Sequence, residues 1–238
     1  MAKIILIHGA WGCADTWSDV APLLRAAGHE VTALTLPGHK GDTTAPDTVG
    51  LADYARAISD AVGDGPAVLV GHSMGGMAIS AAAELIPDRV TRLIYVAAFL
   101  PQDGDSLLSL IKRQALTIGN AVRKGPVAGT TVLDPDTAAG YLFQDATPDQ
   151  RARGLSQLGV QPNAAQTDPA SLSAGRFGAI PKGYVLCDGD QTILPPLQQA
   201  MATGTAGVDL RHLDAGHFPQ LTAADDLAAM LLDMIGAE

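Results

Sequence analysis

The chain has 238 residues, 47% of them hydrophobic and 17% charged, which is typical of a globular protein and excludes a disordered one. Fifteen Lys and Arg against 25 Asp and Glu give a net charge of −10, and because an acidic surface repels phosphate groups, we expect no nucleic acid partner. The two cysteines, Cys13 and Cys187, make no disulfide framework, and we expect both to be free thiols.

Strand and helix signals alternate along the first 99 residues and again after residue 176. Short apolar runs predict buried strands at residues 4–7, 30–36, 67–70, 92–99, 183–187 and 208–213. Helical spacing of apolar residues predicts helices between them, at residues 15–27, 51–62, 74–85, 195–202 and 223–235. Alternation at this rhythm builds βαβ crossovers, so the sequence predicts an α/β fold with a doubly wound, mostly parallel sheet of about six strands.

The alternation stops between residues 100 and 176. Helical stretches are predicted near residues 106–122 and 148–158, with Gly and Pro between them, and no buried strand of the earlier kind is predicted there. We therefore expect one core, residues 1–99 and 177–238, interrupted by a helical cap at residues 100–176. Such an insertion at the strand ends of a parallel sheet would cover the crevice in which these sheets bind ligands.

A serine between the third strand and the helix after it carries the clearest chemical signal. Gly71-His72-Ser73-Met74-Gly75 is a Gly-x-Ser-x-Gly motif in a strand–turn–helix context, which is the context that an exposed nucleophile requires. The two glycines allow a sharp turn that presents the hydroxyl, and the helix N-terminus favours negative charge. We expect Ser73 to be a nucleophile and the N–H of Met74 to stabilise an oxyanion.

A histidine and a carboxylate follow at the same predicted sheet edge. A serine nucleophile needs a general base and a group that orients it. Among the six histidines, His217 stands in a turn just after the last strand, at the same end of the sheet as Ser73. Asp190, just after the preceding predicted strand, is the expected acid, and Asp188 is its competitor. The order serine, acid, histidine is the one that this arrangement uses.

The loop after the first strand is expected to supply the second oxyanion donor. In Ile7-His8-Gly9-Ala10-Trp11, Gly9 allows a close backbone approach, and the N–H of Ala10 is the expected donor. The side chain of His8 is expected to form a hydrogen bond within the loop. Trp11 is expected to line the pocket or to pack against the cap.

With these residues placed, the chain resembles α/β-hydrolases throughout its length. It is most similar to the plant methyl esterase and hydroxynitrile lyase group and to bacterial carboxylesterases related to it. The similar segments include His8-Gly9-Ala10-Trp11, residues 23–34, residues 70–76, Ala97-Ala98-Phe99-Leu100-Pro101 and Cys187-Asp188-Gly189-Asp190. The last of these places the acid of that group on Asp190. The resemblance implies a serine hydrolase that acts on carboxylic esters.

Three positions separate the esterases of this group from its lyases. The lyases carry a lysine directly after the catalytic histidine, where this chain has Phe218. They carry a threonine in the oxyanion loop where this chain has Gly9, and an acidic residue before the nucleophile where it has His72. All three differences favour an esterase over a lyase.

The leading hypothesis is therefore an esterase that forms an acyl-enzyme on Ser73 and needs no metal or organic cofactor. Two alternatives stay open: a lyase, lactonase or amidase on the same fold, and a receptor that binds a ligand without turnover. Residues expected to contact a small ester substrate are Trp11, His72, Tyr141, Phe143 and Phe218.

The sequence says less about the cellular location and the oligomeric state of the protein. No run approaches the ~20 apolar residues of a membrane span, and the apolar run after Lys3 is too short for the core of a signal peptide. We expect a cytoplasmic protein with no membrane partner. The sequence does not decide between a monomer and a homodimer.

Overall fold

A computed structural model describes residues 1–236 of the chain. The strands of this part are β1 (Lys3–Ile7), β2 (Glu30–Leu34), β3 (Ala67–His72), β4 (Val90–Val96), β5 (Val122–Lys124), β6 (Thr130–Leu133), β7 (Gln161–Pro162), β8 (Lys182–Cys187) and β9 (Val208–Leu213). Its α-helices are α1 (Val20–Ala26), α2 (Leu51–Val62), α3 (Gly75–Leu85), α4 (Leu107–Ile111), α5 (Pro135–Leu142), α6 (Pro148–Gln157), α7 (Ala164–Thr167), α8 (Pro195–Thr203), α9 (Pro219–Thr222) and α10 (Ala224–Gly236).

Six strands form one parallel sheet in the order β2-β1-β3-β4-β8-β9. Strands β3 and β8 are buried along their whole length, which explains why their sequences are continuous apolar runs and not alternating ones. The predicted α/β fold with a doubly wound, mostly parallel sheet is confirmed. Because all six strands run in one direction, the loops that follow them meet at one edge.

Helices cover both faces of the sheet and form two separate apolar layers. On one face, Tyr54 of α2, Ile79 of α3 and Met201 of α8 belong to a single buried cluster. On the other face, Leu24 of α1 and Leu231 of α10 belong to a second one. Full burial of such side chains contributes about 1.5–3 kcal/mol each, so these layers hold the sheet and its loops rigid.

Helix α2 shows how local sequence sets an element of this fold. All the residues of its predicted apolar stripe are buried, namely Leu51, Tyr54, Ala55, Ile58 and Val62. At its start, Asp53 Oδ2 accepts a hydrogen bond from Gly50 N at 2.8 Å, and Asp168 Oδ2 accepts one from Leu51 N at 3.0 Å. It ends at Gly63, whose φ of 63° suits glycine.

The predicted helix at residues 15–27 is divided in the structure. A 3₁₀ turn covers Ala14–Trp17, and the α-helix begins only at Val20. Starting there places Pro22 within the first turn, where a backbone N–H has no partner within the helix and its loss costs nothing. The amphipathic pattern was read correctly, but the proline decided where the helix starts.

The segment at residues 100–176 is not purely helical. Strands β5, β6 and β7 form a small antiparallel sheet that the sequence analysis did not predict. The predicted helix at residues 106–122 is only the short α4, followed by a 3₁₀ turn at Ile118–Ala121. Strands of two to four residues are too short to show an alternating pattern, and for this reason no strand was predicted in this segment.

The structure can be compared with two further predictions, one about the cysteines and one about membrane spans. Cys13 and Cys187 are both free and buried, as predicted. Among residues 1–236, no helix is long and apolar enough to span a membrane.

Candidate active site

Ser73 stands on the sharp turn between β3 and α3. Its φ of 54° is left-handed, a strained conformation for a residue with a side chain. The flanking glycines make the turn feasible, because a Cβ at Gly71 would lie 2.7 Å from the carbonyl carbon of Gly75. A Cβ at Gly75 would lie 2.8 Å from the backbone oxygens of Ile7 and His8. The turn therefore needs glycine on both sides of the serine.

His217 links Ser73 to Asp190. Its Nε2 lies 3.1 Å from Ser73 Oγ, and its Nδ1 lies 2.8 Å from Asp190 Oδ2. Asp190 has no exposed surface, and His217 is 2% exposed. With the proton on Nδ1 donated to the carboxylate, Nε2 is free to accept the proton of the serine hydroxyl.

The Asp190 carboxylate is satisfied by three further donors. Oδ1 accepts from Thr192 N at 2.7 Å and from Ile193 N at 3.0 Å. Oδ2 also accepts from Gln198 Nε2 at 2.9 Å. Hydrogen bonds to a buried carboxylate offset the loss of water around its charge, so the anion can persist beside His217. Gln198, on α8, was missed by the sequence analysis.

The competing acid lies elsewhere. Asp188 Oδ1 pairs with His212 Nδ1 at 2.8 Å, and both side chains are about half exposed. The structure therefore brings Asp190, and not Asp188, to His217.

The loop after β1 approaches Ser73 closely. A Cβ at Gly9 would lie 2.8 Å from Ser73 Cβ, so only glycine allows this approach. Within residues 1–236, the N–H groups of Ala10 and Met74 donate to no other protein group. Both are therefore available to a ligand oxygen. His8 forms the loop bond expected of it, from Nδ1 to Gly9 O at 2.8 Å.

His72, expected to contact substrate, mainly supports the base. Its Nε2 donates to the backbone oxygen of His217 at 2.7 Å. Its ring also packs on the rings of His217 and Phe218, with centroids 4.8 and 4.7 Å away. Complete burial lowers the pKa of His72 well below its ordinary value, and the nearby His217 lowers it further. A neutral, fixed His72 holds the backbone that carries His217.

A mostly apolar chamber lies above Ser73, between the core and the segment at residues 100–176. It is lined by Gly9, Ala10, Trp11, His72, Ser73, Met74, Phe99, Leu107, Ile111, Gln114, Thr117, Ile118, Leu142, Thr192, His217 and Phe218. Trp11, His72 and Phe218 were expected in this lining. Gln114, Thr117 and Thr192 were not, because their approach depends on how the insertion folds back on the core.

Two expected contact residues lie outside the chamber. The hydroxyl of Tyr141 accepts a hydrogen bond from Asn120 Nδ2 at 2.9 Å, away from Ser73. Phe143 is fully buried behind the chamber wall, with its ring centroid 4.7 Å from that of Phe218. Neither side chain lines the chamber, because α5 presents the residue between them, Leu142, to it.

Gln114 closes the chamber toward an outer cleft. Its Nε2 donates to Thr192 O at 2.7 Å, and its Oε1 accepts from Leu194 N at 2.9 Å. The same side chain lines the cleft of about 440 Å³ on the other side, so it is the shared wall of the two cavities.

No group of three or more His, Cys, Asp and Glu among residues 1–236 is arranged to hold a metal ion. The chemistry that this arrangement can perform uses protein groups: a hydroxyl, a base hydrogen-bonded to it, a buried carboxylate and two unpaired N–H groups.

The chain is similar to known proteins over most of its length. The Alpha/beta hydrolase family matches residues 4–230. Methylesterase 7 of Arabidopsis thaliana is 27% identical over 98% of this chain and 95% of that protein. Esterase PIR7B of Oryza sativa subsp. japonica is 30% identical over 88% of this chain and 86% of that protein.

Solved structures are similar over the whole length. A pyrethroid hydrolase from Sphingobium faniae JZ-2 is 26% identical with a TM-score of 0.88, over 99% of this chain and 98% of that one. Polyneuridine aldehyde esterase has a TM-score of 0.86 at 22% identity, over 98% and 99% of the two chains. The second likeness concerns the fold alone.

Proposed function

The chain belongs to the alpha/beta hydrolase family, and from this premise we propose that it hydrolyses carboxylic esters through an acyl-enzyme on Ser73. The observation that carries the proposal is the unbroken hydrogen-bonded series from Ser73 Oγ through His217 to Asp190, with distances of 3.1 and 2.8 Å. Relatives named as esterases across nearly the full length of the chain support the ester class.

The first half of the reaction forms the acyl-enzyme. Ser73 Oγ attacks the ester carbonyl carbon while its proton moves to His217 Nε2. The carbonyl oxygen becomes an oxyanion, which accepts from the N–H groups of Ala10 and Met74. The tetrahedral intermediate then collapses, and the proton on Nε2 passes to the departing alcohol oxygen. The acyl group remains bonded to Ser73.

The second half returns the serine. Water enters where the alcohol left, gives a proton to His217 Nε2 and attacks the acyl carbon. The new intermediate collapses, Ser73 Oγ takes the proton back, and the carboxylic acid leaves. Throughout, Asp190 holds the proton of His217 on Nδ1 and stabilises the imidazolium that forms twice in each cycle.

Two contributions set the scale of the acceleration. A positioned general base contributes about 10²- to 10⁴-fold. One oxyanion donor contributes about 3 kcal/mol, because its dipole is already aimed at the developing charge.

The chamber favours an uncharged, apolar substrate. None of its lining residues is Asp, Glu, Lys or Arg. An ionic group would lose its water there without gaining a partner, which is costly in an apolar site. The net charge of −10 also disfavours the approach of anionic esters.

The experiment that tests the function compares three substrates that carry the same apolar group R: an ester of R–COOH, the matching amide and the cyanohydrin R–CH(OH)CN. We expect turnover of the ester far above that of the other two. Ser73→Ala is expected to reduce it by about 10⁴- to 10⁶-fold. Fastest cleavage of the amide or the cyanohydrin would replace the esterase by an amidase or a lyase, and binding without turnover would replace it by a receptor.

A further inference from the structure

Trp11, the residue after the oxyanion donor Ala10, is held in a strained conformation. Its φ is 60°, although tryptophan has a bulky side chain, and it is 8% exposed. A left-handed conformation costs about 1–2 kcal/mol for such a residue, so it persists only where surrounding contacts impose it.

Three hydrogen bonds impose it, and all three come from the segment at residues 100–176. Trp11 N donates to Gln161 Oε1 at 3.2 Å, and its carbonyl accepts from Gly159 N at 2.7 Å. Its indole Nε1 donates to Thr131 Oγ1 at 3.2 Å. The insertion thus fixes the backbone on both sides of Trp11 and its ring.

The bond from Trp11 N also fixes Ala10. A peptide group is planar, so holding Trp11 N fixes the plane that follows Ala10. The plane before Ala10 is fixed through Gly9 O, which accepts from His8 Nδ1 at 2.8 Å and from Gly12 N at 3.2 Å. The peptide planes on both sides of Ala10 are therefore fixed, the one before it by His8 and Gly12 and the one after it by Gln161. Together they set the direction of the Ala10 N–H.

Gln161 can play this part because its own amide is fully oriented. The side chain has no exposed surface, and its Nε2 donates to Pro162 O at 2.8 Å and to the Tyr54 hydroxyl at 3.3 Å. With both hydrogens of Nε2 engaged, Oε1 is the end that faces Trp11 N.

The same series of hydrogen bonds reaches the oxyanion loop a second time, through Tyr54 and His39. The Tyr54 hydroxyl donates to His39 Nε2 at 2.7 Å, and His39 Nδ1 donates to Gly12 O at 3.1 Å. Burial, with His8 nearby, lowers the pKa of His39 well below its ordinary value, so the ring is neutral and keeps this tautomer. Gln161 is thus tied to the loop that contains Ala10 at two points, directly at Trp11 N and through Tyr54 and His39 at Gly12 O.

We propose that Gln161 is a positioning residue of the oxyanion hole: it holds Trp11 in its left-handed conformation so that the N–H of Ala10 points to the substrate oxygen. This inference rests on the proposed function, in which Ala10 is an oxyanion donor. It also makes the fold of the insertion a condition for catalysis in the core.

The test compares an oxygen ester with the matching thionoester, in which sulfur replaces the carbonyl oxygen. Sulfur is larger and a weaker hydrogen-bond acceptor, so an ordered oxyanion hole favours the oxygen ester. The ratio of kcat/KM for the two substrates reports the order of the hole. A simple loss of folded protein changes both rates equally and leaves the ratio unchanged.

Gln161→Leu removes the acceptor for Trp11 N. We expect kcat for the oxygen ester to fall about 10- to 10²-fold with little change in KM, and the ratio to fall about 10-fold. Gln161→Glu is expected to restore most of the ratio, because an acid in this fully buried place is uncharged and still offers a carbonyl oxygen.

Thr131→Val keeps the test decisive if Gln161→Leu does not fold. It removes only the bond to the indole, so we expect a smaller fall of the ratio in the same direction. Thr91→Val is the matched control, because it removes a hydroxyl bonded to Ala67 O at 3.2 Å where β3 and β4 begin, at the opposite end of these strands from Ser73, and it should leave the ratio unchanged.

Two failures can be told apart. If the wild-type protein cleaves the oxygen ester no faster than Ser73→Ala does, the proposed function itself is wrong. If Ser73→Ala abolishes turnover but Gln161→Leu and Thr131→Val keep the wild-type ratio, only the positioning role of Gln161 is wrong.

Discussion

Replacing Asp190 with asparagine tests how the base is held. The amide of Asp190→Asn can be placed in two ways. With its oxygen in the place of Oδ1, it keeps the bonds from Thr192 N and Ile193 N, at 2.7 and 3.0 Å in the native site. Its NH₂ then faces His217 Nδ1 and Gln198 Nε2, and loses the bond from Gln198. The reverse placement sets the NH₂ against two backbone donors.

The first placement is favoured because it loses one bond and the second loses two. In it, the NH₂ of the asparagine donates to His217 Nδ1, so the imidazole proton must move to Nε2. A protonated Nε2 cannot accept the proton of Ser73 Oγ, which lies 3.1 Å away. The corresponding change in a serine protease lowers kcat about 10⁴-fold, which equals about 5.4 kcal/mol at 1.36 kcal/mol per factor of ten.

The assay is the kcat of p-nitrophenyl acetate hydrolysis at neutral pH, with folding checked by circular dichroism. Asp188→Asn is the matched control, since Asp188 is exposed and pairs with His212, and we expect its kcat to stay near the wild-type value. The reasoning is refuted if folded Asp190→Asn keeps more than about a tenth of wild-type kcat, or if Asp188→Asn loses as much.

Two further predictions concern the oxyanion loop. Gly9→Ala places a Cβ 2.8 Å from Ser73 Cβ, so it should push the loop away from Ser73 and lower kcat about 10²-fold. Gly175→Ala is the control, because Gly175 has open space around it and its kcat should not change. Equal kinetics of the two variants would contradict this prediction. Burial lowers the pKa of His8 to about 4 and lowers the pKa values of His39 and His72 well below their ordinary value, so below pH 6.5 the unfolded state binds more protons than the folded state. The free energy of unfolding should therefore fall as the pH falls, and His8 alone contributes about 2 kcal/mol of this loss between pH 7 and 5. Urea unfolding at the two pH values measures the change, and equal free energies of unfolding would contradict the burial of these histidines in their neutral form.

Much of the arrangement around Ser73 could be anticipated from order along the chain. Parallel strands bring the loops that follow them to one edge, so a serine after β3 and a histidine after β9 had to lie at the same edge once the sheet was recognised. The carboxylate was harder, because Asp188 and Asp190 both follow β8. The resemblance supported the choice of Asp190, and in the structure it is Asp190 that is buried against His217.

Several contacts that build the site could not be predicted from the sequence. Gln161 contacts Trp11 from 150 positions away. Gln198 is close to Asp190 in sequence, but it lies on a helix whose sequence shows only amphipathic spacing. The left-handed Trp11 breaks the local rule that such conformations belong to glycine, so no local pattern indicates it. Tyr141 and Phe143 lie outside the chamber while Leu142 lines it, because one residue along a short helix changes which side chain faces the chamber.

The central claim, that Ser73 is an activated nucleophile, is tested most directly by labelling with a serine-directed fluorophosphonate followed by mass spectrometry of the digested protein. We expect one adduct, on the peptide that contains Ser73, forming at the same rate at which ester turnover is lost, and no adduct on Ser73→Ala. A folded protein that continues to hydrolyse the ester while Ser73 stays unlabelled, or that loses turnover through an adduct on another residue, would contradict it.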